Sequence, residues 1–238
     1  MIMAQLSRRH LLAVGAAAAF VPGASRAMSP RPPASKVWVF DRLDTIGGVT
    51  THVEGNPQLI DTSMGKAVLF DGVKDALFID EHPLAGAAMF TFEAIFRPDG
   101  GAFAQRWFHL ASDEPAPPAG EKPLGTRFLF EIRVVGTNWY LDTFVNGKGY
   151  KQALMFPDKL HPIGPWYHVA QTYDGKTYRS YVNGELQGEA EIAFAPQGPG
   201  KASVGVRYTH EDYFHGAIRE ARFTARALSP KDFLKVMV

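Results

Sequence analysis

The 238-residue sequence contains no cysteine. That absence excludes disulfides, thiolate zinc sites and cysteine nucleophiles together. No Gly-x-Ser-x-Gly elbow, phosphate-binding loop or dinucleotide fingerprint is present either, so three common catalytic and cofactor signatures are missing. The longest apolar stretch, Leu11 to Val21, is about half the length a bilayer-spanning helix needs. An excess of either charge is lacking as well: 25 basic and 24 acidic side chains leave a formal net charge of +1. Arg8, Arg9 and Arg26 are the only charged residues before Met28, so residues 28–238 carry 22 basic against 24 acidic side chains, a formal charge of −2. No basic stripe remains to neutralise phosphates, which argues against a nucleic-acid partner.

What is present begins with an export pattern. Arg8-Arg9 stands before the short alanine- and glycine-rich stretch, Pro22-Gly23 breaks it, and Ser25-Arg26-Ala27 offers small residues for a cut after Ala27. Residues 1–27 resemble a cleavable twin-arginine signal, which implies a periplasmic or secreted protein with no membrane span after cleavage. Residues 28–36, with Pro30, Pro32 and Pro33, read as a stiff spacer. Residues 37–238 then form one domain, because no second linker, charge block or low-complexity run interrupts them. A chain of this size buries about 70% of the surface its unfolded form exposes, so it folds without a staple.

The domain reads as all-β. Apolar and aromatic runs (Lys66–Phe70, Phe90–Phe96, Trp107–Leu110, Arg127–Val135, Trp139–Val145) alternate with Gly47-Gly48, Asp71-Gly72, Asp99-Gly100, Asn146-Gly147, Asp174-Gly175 and Asn183-Gly184. Such dipeptides tolerate the positive φ of tight hairpin turns. Residues 166–193 form the clearest meander, its register pinned by Asp174-Gly175 and Asn183-Gly184. Near the end, Ser229 can cap a short helix that Pro230 opens.

Several of these segments also carry a family likeness. Trp166-Tyr167-His168-Val169-Ala170, Tyr173-Asp174-Gly175, Tyr181-Val182-Asn183-Gly184 and Tyr213–Phe223 are the later segments; Ala67–Gly72 and Phe90–Phe96 are the earlier ones. Across about residues 66–235 the chain resembles the laminin-G-like, concanavalin A-like lectin/glucanase superfamily. The resemblance implies a two-sheet antiparallel jelly-roll sandwich. It implies little about function, since that fold hosts lectins, adhesion modules, glucanases and lyases.

The laminarinase-type branch uses Glu-x-Asp-x-Glu on one strand, with acid and nucleophile about 5 Å apart for retention. That motif is absent, and Glu131-Ile132-Arg133 and Glu189-Ala190-Glu191 are its nearest pieces. Period-two alternation places Glu131 and Arg133 on one strand face, and Tyr140 and Asp142 on one face of the next. A hairpin about Gly136 would unite the four, with Trp107 and His109 joining from a preceding strand, and Tyr178 or Arg179 as further additions. Flat rings and planar polar groups are what a sugar-binding groove needs; routine cross-strand ion pairing is the plainer account of the same charges. Gln105–His109 and the proline-rich loop after it, Asp113–Lys122, read as a possible border of that groove.

Calcium is the one cofactor the sequence leaves open, through Asp71, Asp75, Asp80 and Glu81 or Glu211 and Asp212, without an EF-hand motif. The histidine spacings, five for His210 and His215 and seven for His161 and His168, match no zinc-protease pattern. The reading is therefore an exported binding module for a glycan or an extracytoplasmic protein. A carbohydrate-active enzyme using Glu131 with Asp142 or His109 is the alternative, and an assembly domain with its face covered by another chain is the third.

Overall fold

The computed structural model describes residues 35–237, so the twin-arginine segment and most of the proline spacer lie outside the described residues. In chain order the strands are β1 Lys36–Val39, β2 Thr45–Ile46, β3 Val49–Glu54, β4 Gln58–Thr62, β5 Gly65–Asp71, β6 Ala76–Ile79, β7 Phe90–Pro98, β8 Ala104–Ser112 and β9 Arg127–Val135. There follow β10 Asn138–Gly147, β11 Tyr150–Met155, β12 His161–Pro162, β13 Tyr167–Tyr173, β14 Thr177–Val182, β15 Glu185–Glu191, β16 Gly200–Val204 and β17 His215–Thr224. They form two antiparallel sheets. One has eight strands in the order β15-β14-β13-β7-β17-β5-β4, with β1 also on β17; the other has nine, β11-β10-β9-β8-β16-β6-β3-β2, with β12 also on β10. The non-consecutive neighbours make this the jelly-roll sandwich the sequence implies.

Alternation explains the layering. On β9, Phe128, Phe130, Ile132 and Val134 join the core between the sheets, and on β10 Trp139, Leu141 and Val145 do the same. Their odd-and-even neighbours therefore face outward. Aromatic rings fill the interior: Trp107 lies parallel between Phe96 and Phe130, with ring centroids 4.4 and 5.2 Å away. The outer face of the eight-stranded sheet is partly roofed by the C-terminal tail, where Leu228 and Phe233 pack on Ala170 and Tyr181.

Two expectations change in detail. Asn183 and Gly184, with φ of 50° and 82°, make the tight turn foreseen for them. Asn146-Gly147 instead ends β10, and the turn falls one residue pair later, where Gly149 has a φ of 87°. The closing helix is a single 3-10 turn, Pro230–Asp232. Ser229 does not cap it with its side chain, because that hydroxyl meets the Asp232 carboxylate at 3.0 Å. Among the described residues no helix is long and apolar enough to cross a membrane.

Candidate functional site

Four adjacent strands of the nine-stranded sheet turn side chains outward at one level. Arg106 on β8 stands opposite Glu131 on β9, Glu131 opposite Asp142 on β10, and Asp142 opposite Met155 on β11. Arg133 closes the group: its Nη2 donates to Glu131 Oε2 at 2.9 Å and Asp142 Oδ2 at 2.6 Å, and its Nε donates to Asp142 Oδ2 at 3.1 Å. Arg106 Nε lies 3.1 Å from Glu131 Oε1, and its Nη1 pairs with Asp212 from the loop before β17. The hairpin about Gly136 thus brings Glu131, Arg133 and Asp142 into contact. Tyr140 is opposite Arg133 on the same outward face and is nearly buried.

The charges are largely out of water. The Glu131 and Asp142 side chains are 5% and 3% exposed. Burial holds both above the usual carboxylate range; the charge of Asp142 pushes Glu131 further, while Arg106 and Arg133 pull it back. Beside them is an open depression of about 220 Å³. Its floor includes Glu131, Asp142 and half-buried Phe144, and Met155 edges it. Above Arg133, 5.8 Å from its guanidinium carbon, sits Phe103, which is 60% exposed.

Trp107 is not part of this face. A β-bulge between Arg106 and Phe108 inserts Trp107 as an extra residue, so Trp107 and Phe108 both point into the core. The main chain accommodates it by another route, with Gly205 N–H donating to the Trp107 carbonyl at 2.9 Å. The same irregularity delivers Arg106 outward instead, from the Gln105–His109 segment that the sequence placed at the border of the groove. Tyr178 is buried in the core, and Arg179 lies on the other sheet, paired with Asp174 and Glu189. Both are therefore separated from Glu131 by the sandwich itself. Phe144 shares the outward face of Tyr140 and Asp142, as alternation along β10 predicts, whereas Arg127 and Lys151 were missed, although alternation from Glu131 reaches Arg127 directly.

His109 faces outward by register but is only 4% exposed and makes no opening to the depression. Its Nδ1 accepts the Tyr208 N–H at 3.0 Å, which places the ring proton on Nε2, a buried atom without an acceptor. Burial first, then the charges of Arg127, Arg207 and Arg106, lower its pKa to about 3. Unfolded histidine takes a proton near pH 6.5. Stability from neutral His109 is thus complete above pH 6.5 and is lost as pH falls toward 3, by about 1.4 kcal/mol per pH unit. Urea unfolding at pH 7 and pH 5 should show the wild type losing about 2 kcal/mol more than His109→Asn, which keeps an acceptor for Tyr208 but cannot be protonated. Equal losses would show that His109 titrates normally.

The acidic side chains named as calcium candidates are engaged mostly by backbone N–H groups and basic partners. Asp71 Oδ1 accepts the N–H groups of Val73, Lys74 and Asp75, and Asp75 accepts those of Asn56 and Asp71. Glu81 pairs with Lys36, Glu211 with Arg207 and Asp212 with Arg106. Among the described residues no group of three or more histidines, cysteines, aspartates or glutamates is arranged to hold a metal ion.

Residues 71–232 match the family described as the concanavalin A-like lectin/glucanases superfamily. No curated protein matches the chain significantly. Solved structures do. Domain 4 of AbnA, a GH43 extracellular arabinanase from Geobacillus stearothermophilus seen with arabinotriose, superposes with a TM-score of 0.63 at 16% identity, covering 84% of this chain and 97% of that one. The receptor-binding domain of botulinum neurotoxin D gives 0.59 at 14% identity, over 83% of this chain and 50% of that one. A SAP-like pentraxin from Limulus polyphemus gives 0.50 at 16% identity, over 69% and 77%. Identities this low report the shared fold.

Proposed function

The chain belongs to the concanavalin A-like lectin/glucanase superfamily, and on that premise we propose that it is an exported carbohydrate-recognition module that binds through the outer face of β8–β11. One observation carries the reading. A fixed lattice of two arginines and two carboxylates, nearly buried, forms the wall of an open depression that also presents a phenylalanine face. Planar polar groups held in place meet sugar hydroxyls without an ordering cost, and an aromatic ring accepts the apolar face of a pyranose. The arabinotriose complex of the AbnA domain supports the same class of ligand.

Binding suits the site better than hydrolysis. Glu131 and Asp142 are both clamped by Arg133, and Glu131 is held by Arg106 as well. A general acid and a nucleophile need separate freedom at the two sides of a scissile bond. The raised carboxylate pair is the one feature that favours the enzyme. Export rests on residues 1–27 and places the ligand outside the cytoplasm.

The test is binding of the purified protein to an immobilised polysaccharide panel, in calcium and again in chelator. At least one glycan should be retained and recovered at its original length, and Phe144→Ala should weaken that binding about tenfold. Shortened glycan would establish the enzyme instead. Unchanged affinity in Phe144→Ala would move the site off this face, and loss of binding in chelator would bring in calcium.

A further inference from the structure

The depression carries more positive charge than its own carboxylates balance. Arg106, Arg127, Arg133, Lys151 and Arg207 line it, against Glu131 and Asp142. Arg106 and Arg133 are committed to those two carboxylates and to Asp212. Of the other three cations, Arg127 and Lys151 stand at one end. Arg127 and Lys151 both stand opposite Asn146, from β9 and β11, so their backbones are two strand spacings, about 10 Å, apart. Neither enters an ion pair among the described residues, and Arg207 pairs only with exposed Glu211.

Arg127 is the most telling of the three. Its guanidinium lies 4.7 Å over the Phe144 ring and donates through Nη1 to the Gly125 carbonyl at 2.6 Å, so it is held in place. Its Nε, like that of Arg207, is buried with no acceptor. Buried donors without partners are rare in folded proteins, and two lie here on neighbouring arginines. Burial first, then the charges of Arg207 and Arg106, hold Arg127 below the usual arginine range, while Glu131 and Glu114 pull it back.

We infer that this end of the depression takes the anionic group of an acidic saccharide, a sugar carboxylate or sulfate, with Arg127 and Lys151 as its partners. The inference rests on the carbohydrate reading above and specifies its ligand. A planar guanidinium matches a carboxylate or sulfate edge with two parallel hydrogen bonds, and charge-assisted bonds of this kind are about twice as strong as neutral ones. Three cations in one hollow do not form a stripe that tracks a phosphate backbone, and the formal charge of residues 28–238 is −2. The attraction is local.

The test pairs ligands that differ only in charge. Calorimetric titration of the full chain would compare trigalacturonate with its trimethyl ester, and galactose 6-sulfate with galactose. In at least one pair the charged member should bind about tenfold tighter, and the pair that discriminates identifies the anion. Arg127→Gln and, at an exposed position that leaves folding intact, Lys151→Met should each cut that ratio to about threefold or less. Equal affinity within both pairs, a ratio that survives both substitutions, or tighter binding of a single-stranded oligonucleotide would overturn the inference. If neutral sugars bind and charged ones gain nothing, the anion site falls while carbohydrate recognition stands. If no saccharide in either pair or on the panel binds, carbohydrate recognition itself falls.

Discussion

Replacing Arg133 with alanine is expected to lower the unfolding free energy by about 3–5 kcal/mol at pH 7. Among the described residues Arg133 is the one basic side chain paired with both Glu131 and Asp142, and those carboxylates are 5% and 3% exposed. Without it, two negative charges remain in a poorly solvated wall, with Arg106 left to serve one of them. Deleting a partner from a buried ion pair is far costlier than the pair's net contribution, because the charge left behind keeps its desolvation penalty. Burial already holds both carboxylates above their ordinary range, so mild acid should partly rescue the variant by neutralising them. The loss measured by urea unfolding should therefore be larger at pH 8 than at pH 5. Arg133→Lys should recover only part of the stability, since one ammonium cannot span both carboxylates as the guanidinium fork does. Arg179 supplies the control: it pairs with Asp174 and Glu189 at a much wetter position, and Arg179→Ala should cost no more than about 1 kcal/mol. A similar small loss in Arg133→Ala would show that the cluster is solvated and carries no stored electrostatic cost.

The second large effect concerns Trp107. Trp107→Ala should destabilise the protein by about 3–5 kcal/mol, because the fully buried indole is sandwiched between Phe96 and Phe130 and its removal leaves a cavity that the two sheets cannot close. Trp107→Phe should be milder, since it keeps a stacked ring at reduced volume. Its ligand affinity should equal that of the wild type, which separates an interior residue from one on the binding face. An affinity loss in Trp107→Phe at retained stability would return this residue to the groove where strict alternation first placed it.

That displacement shows how the two levels of description divide. On β9 and β10 the alternation is unbroken. Phe128, Phe130, Ile132, Trp139 and Leu141 are inside, and Glu131, Arg133 and Asp142 emerge together outside once Gly136 turns the chain with a φ of 61°. A period of two is a property of the extended backbone, so a reader of the sequence recovers it wherever nothing is inserted. On β8 one extra residue breaks the period, and Trp107 changes face while His109 keeps its own.

Strand content, frequent turns, the sandwich class and the outward placement of Glu131, Arg133 and Asp142 are legible from side-chain periodicity and from residues that tolerate positive φ. Which charges balance is set in three dimensions. Arg106 reaches Glu131 across strands, Asp212 arrives from a loop 106 residues away to pair with Arg106, and Arg127 and Lys151 flank Asn146 from either side without an ion pair among the described residues. Neutralisation depends on distances of a few ångströms between segments far apart in the chain. Local pattern does not encode those distances; the packing of the two sheets and the loop before β17 sets them.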